Sequence, residues 1–100
     1  MYYIYILQSG KEEKHYIGYS EDPWRRVNEH NSSPHDTYTS KYRPWRLVAV
    51  YEAGETRSEA MKTERFLKRQ KTKAILQKMI NGEPLYGILA QLVRVPHVRD

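Results

Sequence analysis

Two short runs, YYIYIL (Tyr2 to Leu7) and HYIGY (His15 to Tyr19), are rich in aromatic and β-branched residues and are separated by the polar stretch SGKEEK. Such residues suit a pleated, half-buried surface. A charged link containing Gly10 suits an exposed turn, so the two runs are expected to form a hairpin. Residues two apart in a strand share a face. Tyr3, Tyr5 and Leu7 therefore look one way, Tyr2, Ile4 and Ile6 look the other, and Tyr16 and Gly18 share a face in the second strand. Gly18 leaves room beside a tyrosine; taken alone it reads first as a bulge or strand end and second as a ligand contact.

Downstream, Asp22-Pro23 offers an acceptor for free amides followed by a residue that needs no donor at the first helical position. The helix it starts is expected to run to Asn31, with Trp24 and Val27 apolar and Arg26 and His30 one turn apart on a single face. SSPHDTYTSKYRP is polar, holds two prolines and lacks periodicity, which predicts a loop. WRLVAVYE, from Trp45 to Glu52, is a third strand, with Leu47 to Val50 continuous enough for the centre of a small sheet. Thr56-Arg57-Ser58-Glu59 has the spacing of a capping box for a helix over 57–71. On that helix Ala60, Thr63 and Leu67 form the inward stripe and Glu64 lies at its edge. After a bend at Lys71 to Lys73, Ala74, Ile75, Met79 and Ile80 form another amphipathic series ending at Asn81-Gly82. Leu85, Ile88, Leu89 and Leu92 repeat at three and four residues and predict a terminal helix that covers core or meets a protein partner.

One hundred residues with 39% hydrophobic content support a single core, hence a single domain. Seventeen Lys and Arg against twelve Asp and Glu give a formal charge of +5, which favours an anionic partner, nucleic acid or an anionic membrane face. The absence of cysteine excludes a disulfide framework and a thiolate metal site and suits a reducing compartment, here expected to be the cytoplasm. MYYIYILQSGKEEK has a short apolar run with no basic stretch before it, so it reads as a strand, not as a signal peptide or a membrane span.

Chemistry would need the hairpin and both helices to face one cleft. Tyrosine can orient or deprotonate water, but its ordinary pKa near ~10 calls for cationic neighbours. Arginine grips two phosphate oxygens and opposes charge that develops in a transition state. Glutamate is a hard ligand for Mg2+, which completes its shell with water and phosphate. Against this, nine tyrosines make Tyr5 and Tyr16 ordinary sheet aromatics on composition alone. Arg26 reads as a surface residue beside Arg25, His30 as a helix-end residue, and Glu64 as half of a solubilising pair with Lys68.

An ordered series changes that balance: Tyr3-Ile4-Tyr5, then Tyr16-Ile17-Gly18, Arg26 eight residues after that glycine, His30 one turn later, and Glu64 after the third strand. With it the chain resembles the GIY-YIG nuclease domain family over about residues 2–81, in particular its compact stand-alone members, which are similar to the nuclease module of the nucleotide excision repair endonuclease and to that of certain homing endonucleases. The resemblance implies an α/β (α+β) fold, a three-stranded antiparallel sheet flanked by helices. Residues 1–82 would form the nuclease domain and 83–100 a helical extension packed on it. It implies Glu64 as ligand of Mg2+ or Mn2+, Arg26 as the phosphate contact, and Tyr5 and Tyr16 as organisers of the water, with Tyr5 marginally preferred as activator. It also implies His30 as an assisting residue and Gly18, Tyr19 and Asn81 in support. Two positions depart from the family: Tyr3 stands where its name has glycine, and Tyr19 where some members carry lysine.

From Arg57 to Lys73, seven Lys or Arg face only Glu59 and Glu64. Lys62, Arg65, Lys68, Arg69 and Lys71, with Lys41, Arg43 and Arg46, are the expected phosphate contacts, and Trp24, Tyr38 and Tyr42 are candidates for stacking on bases. The expected activity is hydrolysis of DNA, branched or single-stranded in part, selected by shape more than by sequence, because no recognition helix or zinc-ligand cluster is visible. The competing function is a nucleic-acid-binding module with a weak or idle nuclease site.

Overall fold

A computed structural model of the chain describes residues 1–34, 38–70 and 72–98. Strands β1 (Tyr2–Ser9) and β2 (His15–Ser20) form the expected hairpin, antiparallel, with Tyr5 opposite Gly18 and Leu7 opposite Tyr16. Ser9 ties the turn: its buried hydroxyl accepts from the amides of Lys11 and Glu12 at 3.1 and 3.2 Å and donates to the Tyr42 carbonyl at 2.6 Å.

The alternation read from the sequence places two cores on two faces of the sheet. Ile4, Ile6 and Ile17 join Ala49 and Tyr51 of β3 (Trp45–Gly54) under helices α2 (Arg57–Gln70) and α3 (Lys73–Asn81), which contribute Leu67, Leu76 and Met79. Tyr5, Leu7 and Val50 face the other way with Trp45, under Trp24 and Val27 of α1 (Pro23–Ser32). A register shift between Ile6 and Leu7, which pair with Ala49 and Leu47, leaves Val48 as an extra residue on β3.

Local chemistry starts and stops each helix. The Asp22 side chain accepts from the Arg25 amide at 3.1 Å ahead of Pro23. The far end of α1 is held by two side chains the sequence did not single out for this. Asn31 pairs with both backbone groups of Trp45, at 2.6 and 2.8 Å, and the Arg43 guanidinium donates to the carbonyls of His30 and Ser33. Thr56 accepts from the Glu59 amide at 3.2 Å, one half of the expected capping box, and Ala60, Thr63 and Leu67 are the buried stripe of α2. On α3 the buried residues are Leu76 and Met79, while Ala74 is exposed. Gly82, at φ 72°, closes that helix in the left-handed conformation.

Three expectations are corrected. The segment read as a loop holds a 3-10 turn over Tyr38–Tyr42, and the Trp45 indole donates to its Thr39 carbonyl at 2.7 Å. The sheet has four strands, not three, in the order β2-β1-β3-β4, with β4 at Val93–Val95. The terminal segment is not one helix but a 3-10 turn over Gly87–Gln91 followed by β4. Leu89 and Leu92 are three apart and both buried, a spacing that a 3-10 turn satisfies as well as an α-helix does. Val93 and Val95, β-branched and alternating with Arg94, then pair with Glu52 and Val50.

Arg94 shows why the terminal strand belongs to the domain. Its guanidinium donates to the carbonyls of Met79 and Ile80 at the end of α3, and the buried Tyr51 hydroxyl also donates to Met79. Helix ends leave carbonyls without intrahelical partners, and a cation is the favoured donor there. Arg94→Leu is expected to destabilise the chain by about 1.5–3 kcal/mol, the range for hydrogen bonds to a charged group. Urea unfolding measures it; an unchanged midpoint would show that β4 does not clamp α3.

Candidate active site

Among the described residues β2 pairs only with β1, so it is an edge strand, and α1 and α2 stand on the two sides of that edge. Between them lies an open cleft of about 450 Å³. Tyr5, Tyr16, Gly18, Tyr19, Arg26 and Glu64, drawn from β1, β2, α1 and α2, all line it.

Gly18 is neither a bulge nor a strand end: it pairs in register with Tyr5. The Tyr5 ring crosses it so closely that a Cβ there would stand 2.5 Å from the phenolic oxygen and 2.6 Å from Cζ. Only a residue without a side chain lets the ring lie across β2 and carry its hydroxyl to the cleft.

Behind the two tyrosines sits His30, 7% exposed, its Nε2 3.2 Å from the Tyr5 hydroxyl and its ring 4.6 Å from that of Tyr16. It does not line the cleft. Burial lowers its pKa, the charges of Arg26 and then Arg43 lower it further, and Glu29 only partly opposes them, so the imidazole is neutral near pH 7. A neutral imidazole keeps one ring nitrogen as an acceptor, and in the tautomer that leaves Nε2 bare it accepts from the Tyr5 hydroxyl and orients the phenol.

Tyr5 itself is pushed up to about 12, by burial first and then by Tyr16, with Glu64 adding to the shift and Arg26 opposing it. A phenol that holds its proton this firmly is a donor, which weighs against the preference for Tyr5 as activator. Tyr16 is half-buried and has the Lys68 ammonium 5.9 Å from its ring centre.

Arg26 reaches the cleft wall 36% exposed, its Nη1 2.6 Å from Glu29, and Arg25 approaches the same carboxylate at 3.4 Å. Opposite, the Glu64 side chain is 15% exposed and pairs with Lys68 at 3.1 Å. Among the described residues no three metal-ligating side chains cluster. A hard cation held by one or two carboxylates, with water and substrate phosphate completing its shell, still fits Glu64 beside two phenols; a closed zinc site does not.

Other sequence-derived residues lie elsewhere. Asn81 is exposed at the end of α3, accepting from Gln77 at 3.1 Å and donating to Glu83 at 3.4 Å, and it does not reach the cleft. Arg43 spends its donors on the end of α1, and Arg46 lies over Gln8 in a groove with Pro44. Lys41 is exposed on the 3-10 turn. Lys62, Arg65 and Arg69 line a separate groove with Ser58 and Met61 along α2, and of the described α2 cations expected to contact phosphate only Lys68 meets a cleft residue, Glu64. Trp24 is committed to packing: its indole donates to the His97 carbonyl at 3.0 Å and its ring meets Tyr3 edge-on. Lys71 and the Tyr38 side chain fall outside the described residues.

Tyr2, Ser20, Glu21, Arg25 and Arg57 line the cleft without having been singled out for it. For Arg57 a signal was present. Arg57, Glu64 and Lys68 are spaced by seven and four, which puts them on one face of a helix beside the buried stripe.

The chain matches the family model described as the GIY-YIG catalytic domain over residues 1–79. A UPF0213 protein of Halalkalibacterium halodurans is 36% identical over 86 residues, 83% of this chain and 87% of that protein. One of Haloquadratum walsbyi is 39% identical over 67 residues, 67% of this chain and 73% of that protein. A structure-specific endonuclease subunit of Meyerozyma guilliermondii is 34% identical over 76 residues, 71% of this chain but 26% of that protein.

Two outcomes test this geometry. Gly18→Ala is expected to cost about 1–3 kcal/mol in urea unfolding, as overpacking does, and less in a background where Tyr5→Leu has removed the crowding ring; no cost in the wild-type background would contradict the close approach. Because the Tyr5 pKa rises from 10.0 to about 12 on folding, the folded chain holds that proton more tightly. The resulting stability is complete below pH 10 and is lost as pH climbs through 12. Tyr5→Phe should therefore flatten the alkaline fall in stability, measured as unfolding midpoint against pH.

Proposed function

The chain belongs to the GIY-YIG catalytic domain family, and we propose that it is a divalent-metal-dependent endonuclease that hydrolyses DNA phosphodiester bonds at branched or partly single-stranded structures. The observation that carries this reading is the meeting of Tyr5, Tyr16, Arg26 and Glu64 in one cleft, each from a different element.

Arg26 binds the non-bridging oxygens of the scissile phosphate and opposes the charge that grows on them. Glu64 would hold Mg2+ or Mn2+, which when bound polarises a phosphoryl oxygen. Tyr16, the more open phenol and the one beside Lys68, accepts a hydrogen bond from the attacking water and aligns it with phosphorus. Tyr5 stays protonated and donates, held in place by neutral His30. As the bond from water oxygen to phosphorus forms, the bond to the departing strand end breaks; the water releases its proton to solvent and the departing oxygen takes one from solvent, cutting the backbone. The α2 groove of Lys62, Arg65 and Arg69 would add contacts to phosphates that carry no sequence information. Shape selection is supported by the absence of a recognition helix in the sequence and by likeness to a structure-specific endonuclease subunit. The cysteine-free composition supports the cytoplasm as its compartment.

Purified wild type, Glu64→Ala, Arg26→Ala and Tyr16→Phe are to be compared on single-stranded, duplex, flap and junction DNA with Mg2+ or Mn2+. Wild type should cut, most rapidly on the flap or junction, and the first two variants should lose roughly 100-fold or more, the scale on which one removed charge-stabilising group acts. Equal cutting by all four proteins would sink the assignment. Wild type that binds DNA without cutting it, with Glu64→Ala binding as well or better, would favour the idle-site reading.

A further inference from the structure

The cleft carries three arginines, and they are not equivalent. Arg25 and Arg26, on the α1 bank, share the Glu29 carboxylate. Arg57, in the first turn of α2 on the opposite bank, has no carboxylate partner among the described residues. Its Nε instead donates to the Tyr19 hydroxyl at 3.1 Å, and its guanidinium carbon lies 6.0 Å from the centre of the Tyr19 ring. One N–H of the fork is thus spent on orientation, while the four N–H groups of its two terminal nitrogens have no protein acceptor among the described residues. A guanidinium held by one edge at the hydroxyl end of an aromatic ring is oriented with its outer fork open for a planar, two-oxygen anion, so less side-chain freedom is left to lose on binding.

The Tyr19 ring is half-buried against the Ile4 and Ile17 core, which anchors the pair to β2. The two carboxylates that line the cleft do not pair with Arg57: Glu64 pairs with Lys68, and no ion pair joins Glu21 to Arg57 among the described residues. A strand crossing the edge of β2 with its scissile phosphate at Arg26 must next pass the α2 bank.

We propose that Arg57, oriented by Tyr19, forms a second phosphate subsite that holds a backbone phosphodiester neighbouring the one bound by Arg26. The subsite rests on the nuclease reading and deepens it: it gives the substrate strand a direction across the cleft, from α1 to α2. It also gives Tyr19 a job that does not depend on a lysine at its position, that of positioning a cation borne by α2.

The test is equilibrium binding, without metal and therefore without turnover. Labelled flap or junction DNA is titrated with the full chain in chelator, by fluorescence anisotropy over a range of salt. A parallel set of substrates carries one neutral methylphosphonate at successive linkages. Arg57→Gln is expected to weaken binding several-fold at low salt and to reduce the slope of log affinity against log salt by about one. Wild type should lose affinity at one linkage beside the scissile position, and Arg57→Gln should lose nothing further at that linkage. Arg57→Lys should keep the slope but recover only part of the affinity, and Tyr19→Phe should show a smaller loss at the same linkage. An Arg57→Gln protein that stays as sensitive as wild type at every linkage overturns the subsite while leaving the nuclease reading intact. Wild type with no affinity for any of these DNAs overturns both.

Discussion

The contact of the Tyr5 ring with the Cα of Gly18 is the constraint on which the site depends. A side chain at position 18 would collide with the ring from the hydroxyl to Cε1, so the glycine is required by its neighbour across the hairpin and not by its own backbone conformation. With the ring laid across the edge strand, its hydroxyl meets His30 of α1 on one side and looks into the cleft on the other. Burial in that position keeps the phenol protonated into alkaline solution. One missing methyl group thereby sets the position and protonation of a residue in the cleft.

The edge strand supplies the second half of the design. A sheet edge is usually a liability that must be covered or charged. Here α1 and α2 flank the edge and leave an open channel with cations on both banks. The charges of the channel are arranged in local pairs, Arg26 with Glu29 and Lys68 with Glu64, both partly open to solvent. Pairs of that kind contribute little to stability. They keep ionised groups beside the open cleft. Stability comes from elsewhere: the two apolar layers on either face of the sheet, and the side-chain clamps at helix ends, Asn31 and Arg43 on α1 and Arg94 on α3. The same residue type therefore serves opposite ends. Arg43, with its donors on backbone carbonyls, is a structural group, whereas Arg57 leaves its outer donors without a protein acceptor among the described residues and stands in the cleft.

The family series of Tyr5, Tyr16, Gly18, Arg26, His30 and Glu64 was legible because local rules and a resemblance pointed to the same residues. Alternation put Tyr5 and Leu7 on one face, the Asp22-Pro23 cap put Arg26 and His30 a turn apart, and the α2 stripe put Glu64 at the rim of the core. What failed was the terminal segment, and the basic track divides between two places. Leucines at three and four residues suit an α-helix, but the same spacing feeds a 3-10 turn and then a strand when β3 has a free edge to pair with. The cations were read as one track; α2 rotates them by about 100° per residue, so Arg57 and Lys68 lie at the cleft while Lys62, Arg65 and Arg69 line a separate groove.

By itself the sequence determined the hairpin, the starts of three helices, the two-faced sheet and the family, because each of these depends on near neighbours or on an ordered motif. Only the tertiary structure decided which groups share the cleft, what charge each meets there, and that Gly18 serves Tyr5. Those properties depend on distances between segments far apart in the chain, such as the 3.2 Å from Tyr5 to His30 and the 3.1 Å from Arg57 to Tyr19. Periodicity reports which way a side chain points from its own element. It carries no information about what stands opposite, and desolvation, hydrogen bonding and pKa are all set by what stands opposite.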